Sequence, residues 1–327
     1  MKDAILRLLS ENNLINRYFS GIGTVFMLHR VHPFETDKLS PNENLKISPL
    51  FLENFIIELK SKGFSFINLD RLHEILTNKI KAKKQILFTL DDGYKDNYEI
   101  AYPIFKKHNI PFTIYITTSF PEKKAILWWY ILEDLIIENS EIVLSDGSKY
   151  RCETKQNKIS SFKEIRKRII SFEQAHFIEN MDALFSNYKI DWLSKGAELS
   201  MNWEQICKMS KDPLVTIGGH TKNHFALNKL SQYDIRDEIE AGNRLIEDYT
   251  GKKILHFAYP FGSKNEIGRR EMDIVKDLGF KTSTTTRYGN IYREHRNYLE
   301  CLPRNMLTDK YLISEISKAR RNRIVTL

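Results

Sequence analysis

The stretch Ile86–Asn97 reads I-L-F-T-L-D-D-G-Y-K-D-N, and its reading decides the fold. Ile86, Leu87, Phe88 and Leu90 form an apolar run too short for a helix and rich in strand formers, which predicts a buried strand. Asp91 and Asp92 stand at its C-terminal end, where open α/β sheets and barrels carry their chemistry. Successive side chains on a strand alternate, so the two carboxylates diverge; one can hold a metal while the other moves a proton. Gly93 permits a turn that a side chain would obstruct, and a helical pattern resumes from Tyr94 to Lys107. A plain turn with helix-capping aspartates reads equally well from this stretch alone.

Outward from this strand, short apolar runs alternate with helical patterns. On the N-terminal side, Thr24–Val31 reads as a strand ending near His29 and His32, Ser48–Lys62 as a helix, Phe64–Ile67 as a strand and Leu69–Asn78 as a helix. On the C-terminal side, Asn97–His108 is a helix made irregular by Pro103, and Phe112–Thr117 is a strand. This alternation argues for parallel βαβ units. It breaks between about 119 and 200, a segment containing Trp128 and Trp129, a hairpin around Asp146–Gly147 and charged helices. We read that segment as a mostly helical insertion, a cap that shapes access to the site. The two tryptophans, flanked by Ile126, Leu127 and Leu132, are assigned to its core in preference to stacking on a sugar.

The rhythm resumes with a strand at Leu214–Gly218 and a helix at Ser231–Thr250 stopped by Gly251. Ile254–Ala258 is a strand, Asn265–Leu278 a helix and Phe280–Thr285 a strand; Tyr298–Leu302 is a last short strand and Asp309–Arg320 a closing helix. The length of 1–327 suits one large α/β domain or two ordinary ones, and Met1–Phe19 reads as an amphipathic helix with Ile5, Leu8, Leu9 and Ile15 on one face.

Composition sets bounds. With 327 residues, 42% hydrophobic and 28% charged, the chain is an ordinary globular protein. Its net charge of +8 suits an anionic partner such as a charged glycan or a membrane surface, with peripheral association there as an expectation. The basic residues are dispersed and match no nucleic-acid motif, so no nucleic acid is expected. Cys152, Cys207 and Cys301 are three and widely spaced, which excludes a disulfide framework and points to reduced thiols and a cytoplasmic setting, at the inner membrane surface if it meets a membrane.

His220 and His224 are the second chemical feature. Four residues apart, they share a face if the backbone is helical, and they follow Gly218–Gly219 at a strand end, on the same side as Asp92. Two histidines and a carboxylate make a hydrolytic zinc pattern that also suits ferrous iron. A pair of surface histidines at a helix N-terminus is the competing reading.

Three motifs in order, T-L-D-D-G (89–93), H-T-K-N-H (220–224) and A-Y-P-F-G (258–262), resemble the polysaccharide deacetylase family, the NodB-type domain of carbohydrate esterase family 4. The resemblance covers about Thr24–Leu307 outside the insertion. It implies a single catalytic domain over 1–327, a distorted (β/α)7-type barrel, and hydrolysis of N-acetyl groups on amino sugars of a polysaccharide or glycan precursor, with O-acetyl esters or small amides, or glycan binding without chemistry, as alternatives. It implies a divalent metal, zinc first and cobalt, nickel or iron after it, on Asp92, His220 and His224. Asp91 would be the general base. The Phe261 N–H would hold the oxyanion, and Tyr259, Pro260 and Phe261 would line the substrate groove. The chain departs from the family pattern in two places. No arginine precedes Pro260 to tether the base, and no C-terminal L-x-x-H supplies an acid. The poly-N-acetylglucosamine deacetylase-like subgroup carries its acid histidine near the N-terminus, and F-M-L-H-R-V (26–31) resembles that signature, which assigns the acid to His29. L-P-R (302–304) resembles the subgroup's arginine segment and assigns the tether of Asp91 to Arg304.

Overall fold

A computed structural model describes residues 21–317. The expected amphipathic helix at Met1–Phe19 and the last residues of the expected helix at Asp309–Arg320 lie outside them. The described part of that closing stretch holds a 3-10 turn at Ile313–Ser317.

The main sheet is wholly parallel. Its strands are β1 (Gly23–Leu28), β2 (Ser65–Phe66), β3 (Gln85–Leu90), β4 (Phe112–Ile116), β5 (Val215–Gly219), β6 (His256–Ala258), β7 (Thr282–Thr284) and β8 (Asn305–Met306). Seven run in the order β7-β6-β5-β4-β3-β1-β8, with β2 against the start of β3. The sheet curls into a half-barrel. A bridge from Thr284 to Leu302 ties β7 to the segment that enters β8, which brings the two edges together. β1 through β7 are the strands expected, with ends shifted by up to three residues. The last strand lies at Asn305–Met306, three residues beyond the end of the Tyr298–Leu302 run expected to form it; within that run, Leu299–Cys301 is a 3-10 turn. Pairing with Phe26 and Met27 selects the later residues, and local propensity could not see that partner.

Both faces of β3 are buried, as continuous apolar parallel strands require. Ile86, Phe88 and Leu90 join the outer core with Phe26, Phe55, Phe105 and Phe112. Leu87 faces the barrel interior with Val25, Tyr115, Ala258 and Leu302. Helix α1 (Pro49–Ser61) is capped by Ser48, and α2 (Leu69–Thr77) by Asn68. Leu69, Leu72, Ile75 and Leu76 of α2 pack on the interior set, and Lys281 Nζ donates to Asp70 at 2.6 Å near the start of β7. After β3, a π-helical turn at Asn97–Ala101 precedes α3 (Tyr102–Lys107), an irregularity that adjoins Pro103.

The segment between β4 and β5 carries α4 (Trp128–Glu138), a hairpin of Glu141–Val143 with Lys149–Arg151, α5 (Lys155–Ile169), α6 (Phe177–Leu184) and α7 (Ser194–Leu199). It has a core of its own, including Trp128, Leu132, Phe162, Ile165, Met181 and Phe185. Helices α8 (Trp203–Ser210), α9 (Gln232–Thr250) and α10 (Arg269–Asp277) complete the βα rhythm. Ser231 caps α9, and Gly251, in the left-handed conformation, ends it as expected.

Candidate metal and catalytic centre

Register alone brings the chemical residues together. Six consecutive pairs join β1 to β3, ending at Leu28 with Leu90, so His29 and Asp91 leave the sheet side by side. Their neighbourhood is fixed by Asp91 N–H donating to the Leu28 carbonyl at 3.0 Å. β4 and β5 end together at Ile116 and Gly219, and His220 N–H donates to the Ile116 carbonyl at 3.0 Å. Phe257 pairs with Gly219, which lays the Ala258 carbonyl beside the His220 ring. In a parallel sheet all these C-terminal ends face one way, so the site residues share one rim.

Turning off the strands requires unusual backbone. Asp92, Thr221, His224 and Phe261 all have positive φ, between 60° and 77°. Such conformations cost a non-glycine residue about 1–3 kcal/mol and cluster at functional sites. Gly93 has φ 109°, and this backbone angle, more than space, demands glycine; a Cβ there would meet nothing nearer than 3.4 Å. The positive φ of Thr221 and His224 also corrects one premise. The H-T-K-N-H stretch is a loop, not a helix, and its histidines converge because the chain reverses between them.

That loop is clamped from two sides. Thr117 Oγ1 donates to the His220 carbonyl at 2.8 Å, and Ser119 N–H to the Lys222 carbonyl at 2.8 Å. From α9, Glu238 accepts from Asn223 N–H at 2.9 Å and Asn223 Nδ2 at 2.6 Å, while Lys222 N–H donates to the Glu238 carbonyl. Glu238 lies on the apolar face of α9 beside Ile235, Ile239, Gly242 and Ile246. Sequence reading passed over it, though a glutamate on an otherwise apolar helix face was the available signal.

Asp92 Oδ1 lies 3.4 Å from His220 Nε2 and 3.3 Å from His224 Nε2. It is buried and accepts no hydrogen bond. His220 Nδ1 lies 2.7 Å from the Ala258 carbonyl; donating there puts the lone pair on Nε2, facing Asp92. Ligands at about 2.0–2.1 Å from a tetrahedral ion lie about 3.3–3.4 Å apart, which these separations match. Among the described residues these three form the one such cluster, with ligand atoms within 4.8 Å of one another. Burial drives His224 down to about 4, so its imidazole is neutral at pH 7. Burial opposes a charge on His220 too, but the Asp92 and Asp91 carboxylates outweigh it and raise its affinity for a proton. Burial opposes the Asp92 carboxylate as well, yet His224, His220 and His29 hold it well below the usual range. The cluster therefore favours a cation at its centre, and an orphaned carboxylate oxygen with two imidazole nitrogens fits a divalent metal.

Asp91 points the other way, into a bidentate pair. Arg304 Nη1 donates to Oδ1 at 2.6 Å and Nη2 to Oδ2 at 2.8 Å, with both side chains buried. The guanidinium is itself held, by Nε on the Thr285 carbonyl at 3.0 Å and Nη1 on Thr89 Oγ1 at 3.1 Å, over the Tyr115 ring. Burial pushes the Asp91 carboxyl up, but the Arg304 and His220 charges outweigh it and hold it below the usual carboxylate range. His29 follows β1 directly; Asn97 Nδ2 fixes its carbonyl at 2.8 Å, and its Nδ1 is buried without a hydrogen-bond partner.

The A-Y-P-F-G loop divides. The Phe261 ring lies 4.9 Å from the His224 ring, and Pro260 is buried. Tyr259, expected in the groove, is instead wholly buried. Its ring packs on Phe257, and its hydroxyl donates to the Glu300 carbonyl at 2.8 Å, so the side chain supports the loop from within the core. His256 is likewise buried, below the rim beside Thr282 and Asp70. Beside His224 and Phe261 opens a cavity of about 940 Å³, walled on its far side by the 119–199 segment. Trp128 and Trp129 line it while packing edge to face at 5.6 Å. Trp128 thus belongs to the insertion core and borders the cavity as well.

Comparison with known proteins places this architecture. A sequence model described as polysaccharide deacetylase matches residues 78–170 and 171–283, running through the insertion that the motif resemblance had left out. His29 and Arg304 lie outside the matched residues. The Bacillus subtilis (strain 168) protein YxkH is 32% identical over 79 residues, 24% of this chain and 28% of that protein, so the alignment spans little more than a quarter of the relative. Among solved structures, the Streptococcus pyogenes deacetylase PplD in complex with acetate superposes with a TM-score of 0.60 at 18% identity, covering 88% of this chain and 92% of that one. IcaB from Ammonifex degensii gives 0.58 at 18% identity over 91% and 97%. The de-N-acetylase from Aggregatibacter actinomycetemcomitans gives 0.56 at 16% over 91% and 99%. At these identities the likeness is one of fold.

Proposed function

The chain belongs to the polysaccharide deacetylase family, and from that premise we propose that it is a metal-dependent N-deacetylase of amino sugars in a glycan or glycan precursor. One observation carries the reading. Asp92, His220 and His224 converge on an orphaned oxygen, while the adjacent Asp91 is kept ionised by a buried bidentate arginine. Asp92, His220 and His224 would hold the metal, zinc before cobalt, nickel or iron; when bound it would acidify water and polarise the acetyl carbonyl.

The chain's own residues account for the rest. Asp91, with Arg304 holding both oxygens, is oriented to take one proton as water adds to the acetyl carbon. The N–H of Phe261, a residue in left-handed conformation whose ring lies beside His224, would hold the oxygen that becomes negative. As the C–N bond breaks, His29 gives its proton to the leaving nitrogen, and acetate and the free amino sugar depart. The 119–199 segment acts as the cap that limits access. Arg304, paired with Asp91, supplies the tether that no arginine before Pro260 provides, which supports the catalytic reading over the binding-only one.

The test is acetate release from N-acetylglucosamine oligomers and from nucleotide- and lipid-linked N-acetyl sugars, on metal-reconstituted protein. Asp91→Asn is expected to keep its metal and lose turnover by about 10²–10⁴-fold. His220→Ala is expected to lose the metal. Turnover retained in Asp91→Asn would sink the assignment of the base, and no release from any substrate with metal bound would sink the deacetylase reading.

A further inference from the structure

The cavity beside His224 has a chemistry that deacetylation of a sugar does not require. Of its 26 lining residues, 13 are apolar: ten come from the insertion, among them Ile170, Ile178 and Leu193, and Phe225, Ala226 and Phe261 from beyond it. Ile170, Ile178 and Leu193 are 41, 48 and 43% exposed, and they come from three places in the insertion: the C-cap of α5, the first turn of α6 and the N-cap of α7. Scattered exposed aliphatics are ordinary; three converging on one cavity are not. The rim is cationic. Lys124, Arg166, Lys167 and Lys229 face two carboxylates, Glu179 and Glu266. Among the described residues Arg166, Lys167 and Lys229 have no carboxylate partner, whereas Glu266 already accepts from Ser263 Oγ. Six of the thirteen are aromatic faces on which a sugar can stack, but the exposed aliphatics and the cations without carboxylate partners add an apolar and an anionic requirement that a neutral polysaccharide does not meet.

We infer that this cavity receives the lipid and phosphate portions of a lipid-linked amino sugar, a prenyl phosphate or diphosphate glycoside, and so presents its sugar to the centre at His224. The aliphatic wall takes the first isoprene units, the rim cations take the phosphate charge, and His224 and Phe261 mark the end where the sugar sits. The volume, at the upper end of ordinary ligand pockets, admits a sugar, a diphosphate and a short length of chain. The inference deepens the deacetylase reading and rests on it for the identity of the sugar end, but the binding chemistry of the cavity stands apart from turnover.

The experiment is equilibrium binding to the full-length chain, followed by tryptophan fluorescence. The probes are N-acetylglucosamine linked through diphosphate to a farnesyl chain, the same compound with an isopentenyl chain, and the N-acetylglucosamine tetramer. The farnesyl compound is expected to bind at least about tenfold tighter than the isopentenyl one, since each buried methylene contributes roughly fourfold in affinity when fully withdrawn from water. Ile178→Glu with Leu193→Glu should abolish that difference, while Tyr233→Glu, on an exposed turn of α9 away from the cavity, should leave it intact. Arg166→Glu with Lys167→Glu should weaken both diphosphate compounds and flatten their salt dependence. Equal affinity for the two chain lengths, or tighter binding of the tetramer than of either, would overturn the inference. Acetate release is scored separately. Chain-length-dependent binding without release would keep the cavity assignment and remove the deacetylase one. Release from the tetramer without chain-length dependence would do the reverse.

Discussion

Replacing Arg304 with methionine removes one half of a buried ion pair and leaves the other half in place. The Arg304 side chain makes four hydrogen bonds, two to Asp91 and one each to Thr89 and Thr285, with no exposure to solvent. Methionine keeps most of the volume and none of the donors. Stranding a buried carboxylate typically costs about 3–5 kcal/mol. In a domain of this size each kcal/mol lowers Tm by about 2 °C, so Arg304→Met should melt roughly 6–10 °C lower at neutral pH. The pH dependence has a definite sign. With Arg304 present, the folded carboxyl of Asp91 sits below its unfolded value, so the pair contributes stability above that value and loses it as pH falls through the folded one. With Arg304 gone, only the histidines, His220 first, oppose burial, so the folded carboxyl rises and the stability it contributed above its unfolded value is lost. The gap between wild type and variant is therefore widest near pH 7 and closes towards acid. The acid limb of kcat/KM should move to higher pH, since the base must be ionised to act. Thermal melts from pH 4 to 8, with a pH–rate profile on a deacetylated product assay, measure both. A loss under about 1 kcal/mol with an unmoved acid limb would refute the view that Arg304 sets the charge of Asp91.

Further outcomes follow from contacts around the rim and beneath it. Glu238→Ala frees the Asn223 backbone and side chain that hold the His220–His224 loop, so metal affinity should fall about 10–100-fold in a chelator competition; unchanged affinity would show the loop holds without α9. Gly219→Ala places a Cβ 2.1 Å from Asn243 Oδ1 and should cost about 1–3 kcal/mol in urea unfolding, largely recovered in the double variant with Asn243→Ala; a double variant no better than the single would exclude the clash. His256 and Lys281 hold the half-exposed Asp70 carboxyl well below the usual range, so its contribution is present above about pH 4 and lost as pH falls through the folded value. Asp70→Asn should thus lower Tm by about 1–2 °C at pH 7, with the deficit shrinking in acid; a deficit that grows below pH 4 would reverse the sign.

Much of this protein is legible from the chain because local chemistry determines it. Ile86–Leu90 is apolar, β-prone and short, and it is an interior strand of the sheet. Gly251 ends a helix because it takes a left-handed conformation at no steric cost. The break in βα rhythm after Ser119 marks a segment that has its own core, because its apolar positions are sufficient to bury one another. Asp91, Asp92, His220 and His224 stand at strand ends in sequence and meet at strand ends in space. What the tertiary structure decided is how they meet. The two histidines converge through residues with positive φ and a glutamate on a distant helix, where spacing alone suggested one helical face. Asp91 and Arg304 are 213 positions apart, and they pair because the sheet curls until the segment before its last strand lies against its first. Tyr259 left the expected groove for the core, and the last strand lies beyond the run that local propensity favoured. The cavity under the insertion unites residues from 119 to 266 that share no periodicity. Propensity and spacing act over a few residues of contiguous chain, whereas register and sheet curvature are set by all the strands at once; contacts between distant segments exist only when that whole sheet has formed.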